Sequence, residues 1–190
     1  MRNLFEFSFL FSTFLTAIGC FAQTPISVEP DKILIVYYSW GGNTQAMAQK
    51  IARQTNGTLF ELRPVKAYPE QYRQCTQLAK KHITNGVKPQ LVKLPELKKY
   101  DVIFVGSPNW WGTAAPPVKT FLALPDLSGK TVVPFFTHGG GGMQKCETDV
   151  QNALKKSTVL PALTIPGRKV RNADKEITAW LNKTIKTAGK

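Results

Sequence analysis

The sequence predicts an α/β fold, a three-layer sandwich in which a five-stranded parallel sheet of order 2-1-3-4-5 is covered by helices on both faces. Apolar runs rich in β-branched and aromatic residues alternate with segments of helical periodicity, the pattern of repeated strand–helix units. The first run, Ile33-Leu34-Ile35-Val36-Tyr37, lacks polar alternation, as expected of a strand buried on both faces. Glycine-rich stretches follow the first and fourth runs, at strand ends where open parallel sheets bind ligands.

Taken in order, residues 1–22 read as an export signal and stand outside the fold. Arg2 gives a positive start, 7–18 are mostly apolar but short for a membrane span, and small residues follow. Cleavage after Ala22 uses Cys20-Phe21-Ala22 as a small-x-small site. The stretch Ala17-Ile18-Gly19-Cys20 resembles a bacterial lipoprotein box without its leucine, so a signal ending before Cys20 is the alternative. Either route predicts an exported protein, periplasmic, secreted or lipid-anchored through Cys20, with no transmembrane span after cleavage. Residues 23–31 read as a polar leader and 32–187 as a single domain.

Within that domain, 32–38 is strand one. Asn43 and Thr44 open a helix in which Met47, Ala48, Ile51 and Ala52 recur at helical spacing, and Asn56-Gly57 stops it. Residues 58–65 read as strand two, 69–82 as a helix and 102–106 as strand three. Pro116-Pro117 starts the next helix, at a position where a missing N–H costs nothing. Residues 131–137 are strand four, 147–155 a helix and 158–165 strand five, which Pro161 places at an edge. An amphipathic helix carrying Ile177, Trp180, Leu181 and Ile185 closes the chain.

The chain's 190 residues suit one domain with a short appendage, and 43% hydrophobic with 19% charged residues is the composition of a globular core. The formal charge of +13 predicts salt-dependent attraction to acidic partners. Basic residues fall in scattered pairs such as Lys80-Lys81 and Lys155-Lys156, which reads as a solvated surface and no specific nucleic-acid site. After cleavage at Ala22, Cys75 and Cys146 remain, expected as free thiols on different parts of the sheet. No metal-ligand spacing occurs, so no metal site is expected.

Three loops concentrate the candidate site. The first, Ser39-Trp40-Gly41-Gly42-Asn43-Thr44, joins a buried strand to a helix start, so its N–H groups, hydroxyls and amide suit a phosphate; a tight turn with an Asn or Thr cap is the other reading. The second, Ser107-Pro108-Asn109-Trp110-Trp111-Gly112, sets two adjacent tryptophans at the sheet rim, where a flat aromatic ligand could stack on at least one. The third, Thr137-His138-Gly139 and the glycines after it, leaves bare backbone for the polar edge of a planar ring. Gln144 stands where a G-x-G-x-x-G fingerprint needs its last glycine. His138 alone reads as a hydrogen-bonded surface residue, and no catalytic side chain is assigned.

These motifs, "YS-x-x-GNT", "P-x-WWGT…PPV-x-TFL" and a glycine-rich third loop, resemble the flavodoxins, in particular short bacterial flavodoxin-like proteins, over 32–181. The resemblance implies a flavodoxin-like fold and one FMN. Ser39, Gly42, Asn43 and Thr44 would hold its phosphate, Pro108, Asn109, Trp110, Trp111 and Gly112 would pack on the isoalloxazine, and Thr137, His138 and Gly139 would border its pyrimidine side. Gly41 stands where the family usually has threonine, which removes one phosphate-binding hydroxyl. Flavodoxins are usually acidic, and this chain inverts that charge.

Two classes of function follow. One is an FMN-dependent redox protein, either a carrier passing electrons to a redox partner protein of acidic surface or an oxidoreductase using NAD(P)H and a small-molecule acceptor such as a quinone. The other is an exported basic binding module of the same fold that has lost FMN and takes an anionic ligand or partner.

Overall fold

The computed structural model describes residues 24–187; the export signal read over 1–22 lies outside the described residues. The supposed leader contributes a strand, β1 (Ile26–Val28), ahead of β2 (Ile33–Tyr37), α1 (Asn43–Thr55) and β3 (Thr58–Glu61). Then come α2 (Tyr72–Thr84), β4 (Val102–Trp110), β5 (Thr113–Ala114), α3 (Pro116–Leu122), β6 (Thr131–His138) and α4 (Cys146–Ala153). The edge strand falls in two parts, β7 (Thr158–Val159) and β8 (Leu163–Pro166), before α5 (Asp174–Thr184) and β9 (Ile185–Thr187). The main sheet runs β3-β2-β4-β6-β7 with every neighbour parallel, which is the order 2-1-3-4-5 expected from sequence.

Alternation along the strands divides the core in two. Leu34, Val36, Ile103, Val105, Val132 and Phe136 face a cluster completed by α2, α3 and α4. Their sequence neighbours Ile33, Ile35, Val102, Phe104, Val133 and Phe135 face the opposite cluster, with Met47 and Ile51 of α1 and Ile177 and Leu181 of α5. Period-two side-chain direction in strands thus turns one continuous apolar run into two buried faces.

Five differences from the sequence expectation have physical causes. The third strand runs on to Trp110 because Ser107 to Trp110 continue its pairing and fold back on β5, with Asn109 opposite Ala114. The main sheet therefore contains seven strands rather than five, the fifth position being split. Thr158 lies opposite Thr131 and Leu163 opposite Phe135, so five residues of the edge advance against four of its neighbour. That is a bulge, centred where Pro161 cannot donate to the ladder. Ile185, expected on the last helix, leaves it to pair with Ile26 in a small parallel sheet of β1 and β9. The strand after α1 stops at Glu61 because residues 63–65 leave β2 to pair with 90–92, the Val65 N–H donating to the Gln90 carbonyl and the Val92 N–H to the Arg63 carbonyl. After this detour α2 begins only at Tyr72.

Cys75 and Cys146 are both buried and unpaired, but on the same side of the sheet, in the cluster formed by α2, α3 and α4. Burial, reinforced by the Asp149 carboxylate and opposed by the Lys119 ammonium, pushes the Cys146 thiol from 9.0 to about 12. The folded protein therefore keeps a proton that the unfolded chain releases at lower pH. This contribution is complete below about pH 9 and is lost as pH rises towards 12. Burial raises Tyr38 and Tyr68 in the same sense. Urea midpoints should fall across that alkaline range, and Cys146→Ala should flatten the fall by up to one proton's worth of slope. An unchanged slope in the variant would contradict the assignment.

Candidate functional site

The carboxyl ends of β2, β4 and β6 open on a cavity of about 440 Å³, within the size range of small-molecule and cofactor sites. The first loop supplies its anion end. Gly42 is the N-cap of α1, in a left-handed conformation at φ 81°, and no side chain caps the helix. Asn43 is therefore the first helical residue and not a cap, which leaves first-turn N–H groups available to a ligand. Ser39, Gly41, Asn43 and Thr44 line the cavity. The Ser39 hydroxyl is buried without a hydrogen-bond partner, a costly state that a bound acceptor would relieve. Nothing stands within 4 Å of the Cβ position at Gly41, so that residue leaves open space in place of a hydroxyl.

Trp40, bulky beside the loop, is turned against the segment preceding α2. Its indole donates to the Pro69 carbonyl at 2.9 Å, and its ring lies 6.1 Å from that of Tyr72. The side chain lines one wall of the cavity and holds the loop in place.

The second loop is the end of β4 and a two-residue hairpin turn. Trp111 and Gly112 have φ values of 55° and 85°, the pair of positive angles that a type I′ hairpin requires. This turn separates the two tryptophans. Trp110 faces the cavity beside Pro108 and Asn109 and packs edge-on against Tyr38 and Tyr68, with centroids 5.5 and 4.9 Å away. Trp111 is 57% exposed and lies over α2. Its indole donates to the Thr76 carbonyl at 3.1 Å, and the Lys80 ammonium stands 4.8 Å from its ring centre. Trp111 thus lines a neighbouring hollow of about 240 Å³ with Tyr72, Cys75 and Thr76. Ser107 is fully buried; its hydroxyl donates to the Pro108 carbonyl and accepts from the Ala115 N–H, so it braces the hairpin. Gly42, Ser107, Trp111 and Gly112 lie outside the cavity wall and act on it through backbone shape.

Asn109 joins the second and third loops. Its amide donates to the Gly142 carbonyl at 2.7 Å and to Gln144 Oε1 at 3.2 Å, while its own oxygen accepts from the Gly112 N–H. Asn109→Ala should cost about 1–2 kcal/mol and raise deuterium exchange selectively at 139–142. Uniform exchange across the chain would remove Asn109 from this role.

In the third loop, His138 Nδ1 accepts from the N–H groups of Gly140 and Gly142 at 3.1 and 3.0 Å. The imidazole therefore shapes the loop, and only part of the glycine backbone remains open to a ring edge. Thr137 is buried, and its hydroxyl meets that of Thr44 at 2.8 Å, tying the first loop to the third. Thr137, His138 and Gly139 line the cavity together with Tyr72, Pro166, Gly167 and Arg168. Those last four escaped the sequence reading. A signal existed in Pro166-Gly167-Arg168, at the end of the fifth strand, but from sequence the candidate site rests on the loops after strands one, three and four alone.

Among the described residues no cluster of His, Cys, Asp and Glu could hold a metal, and no helix is long and apolar enough to cross a membrane. The geometry has clear relatives. The chain superposes on a protein from Bacteroides uniformis assigned to the flavoproteins with a TM-score of 0.70 and 26% identity, over 79% of this chain and 99% of that one. It superposes on a flavoprotein in complex with FMN from Lactobacillus acidophilus with a TM-score of 0.62 and 27% identity, over 75% and 97%. It is 29% identical over 136 residues to an NAD(P)H dehydrogenase (quinone) from Nitrobacter winogradskyi, covering 70% of this chain and 64% of that one. The chain spans less than two thirds of the length of the curated relatives it matches. Residues 32–184 match the Flavodoxin family, and the chain belongs to that family.

Proposed function

We propose that this flavodoxin holds one FMN in the 440 Å³ cavity and transfers electrons through it. The observation that carries the reading is the buried, unpartnered Ser39 hydroxyl beside an uncapped start of α1, two neutral features that together fit a phosphate. When bound, FMN supplies the redox chemistry. The chain's own residues bind and orient: Ser39, Asn43 and Thr44 at the phosphate, Pro108 and Trp110 along the ring, Thr137, His138 and Gly139 at its polar edge. No side chain need act as acid, base or nucleophile.

A second reading within the same chemistry is an NAD(P)H-dependent oxidoreductase. The apolar hollow of about 240 Å³ next to the cavity, walled by Trp40, Tyr72 and Trp110, has room for a small uncharged ring and favours it. As a carrier, the protein would meet an acidic partner, and with a net charge of +13 that association weakens steadily from low to high salt, exposed charges being screened over ~8 Å at physiological ionic strength. Export is proposed from the first 22 residues; intact mass after expression in a bacterium distinguishes a start near Gln23, an acylated Cys20 and an uncleaved Met1.

Apo-protein should bind FMN one to one and riboflavin clearly more weakly, read by quenching of flavin fluorescence. Equal affinity would remove the phosphate assignment, and binding of neither at micromolar protein would select the non-redox binding module.

A further inference from the structure

We propose that Arg168 supplies the positive charge that holds the phosphate of the bound flavin, in place of the hydroxyl that Gly41 lacks; this rests on the FMN reading of the cavity. Arg168 stands on the helical turn Gly167–Asn172, directly after β8. That turn is pressed against the start of α1. A Cβ on Gly167 would overlap the side-chain amide of Asn43, so the bare glycine lets the turn lie against that side chain as it stands. The approach carries Arg168 to the cavity wall that Asn43 and Thr44 also line.

The charge arithmetic of this cavity is one-sided. Among the described residues, Arg168 is the only Lys or Arg on its wall, and no Asp or Glu lines it. None of the ion pairs among the described residues uses its guanidinium. The second unpartnered group is the buried Ser39 hydroxyl. A cationic fork and a buried hydroxyl, both without protein partners and flanking an uncapped helix start, match the oxygens of a phosphate dianion. The first loop holds no Lys or Arg, and its sequence points only to neutral phosphate donors; the fold brings a cation to it from beyond the fifth strand.

The test pairs two ligands with three variants. Arg168→Gln should raise the Kd for FMN about tenfold and leave riboflavin within about twofold, because a charge-assisted bond to phosphate is absent from riboflavin. Arg168→Lys should lose less, keeping the charge without the fork. Arg171→Gln, exposed on the same turn but outside the cavity wall, should change neither and controls for net charge. A separate readout uses inorganic phosphate alone: at matched ionic strength it should raise the Tm of wild-type apo-protein over chloride, and not that of Arg168→Gln. Equal loss of both flavins, no loss of either, or equal phosphate stabilisation of both proteins would overturn the proposal. If neither flavin binds while phosphate still stabilises through Arg168, the FMN reading fails and the anion site stands.

Discussion

Trp110→Ala should weaken FMN and riboflavin by the same factor, about tenfold, and lower stability by about 2–3 kcal/mol. The equal factor follows from the shared ring, since Trp110 lies along the cavity and not at its anion end. The stability loss follows from its packing against Tyr38 and Tyr68, part of the core beneath β4. Trp111→Ala should behave differently despite adjacency. It removes an exposed ring, one hydrogen bond to α2 and a cation–π contact, together worth about 1 kcal/mol, and flavin affinity should move by less than about threefold. Parallel flavin titrations and urea curves on the two variants measure both effects. Equal flavin losses in both would show that the hairpin turn does not separate their roles.

Gly106→Ala should destabilise the fold by about 2–3 kcal/mol, which lowers Tm by roughly 5–10 °C in a domain of this size. A Cβ at Gly106 would overlap the ring of Phe135 on the adjoining strand, and Phe135 is fully buried with no room to retreat. The position also accepts a hydrogen bond from the Tyr38 N–H at 3.1 Å, so displacement reaches the first loop. Combining it with Phe135→Leu should recover part of the loss, giving a coupling that additive effects would not produce. Additive losses in thermal melts would place the strain elsewhere.

Strands one, three and four were legible because each is buried on both faces and reads as an uninterrupted apolar run. The edge strand was only half legible: Pro161 marks the edge, but the extra residue it accommodates is visible only from the register with β6. The same limit applies at the site. Glycines and hydroxyls in the first loop announced an anion end, whereas the opposite fates of Trp110 and Trp111 depend on two positive φ angles that sequence spacing does not encode. Arg168 lay out of reach for another reason. Its place beside Asn43 depends on a contact between residues at opposite ends of the domain, which periodicity and local motifs do not report.

The bulge at Pro161 bears on how the protein behaves at high concentration. An open sheet edge presents free donors and acceptors to any passing strand and so seeds fibrils. Here Pro161 offers no N–H, its carbonyl is taken by the Trp180 indole at 3.0 Å, and the next N–H, of Ala162, is taken by the Glu147 carboxylate at 2.7 Å. An incoming strand would find the middle of this edge already bonded, which protects the chain against edge-to-edge self-assembly at that side of the sheet.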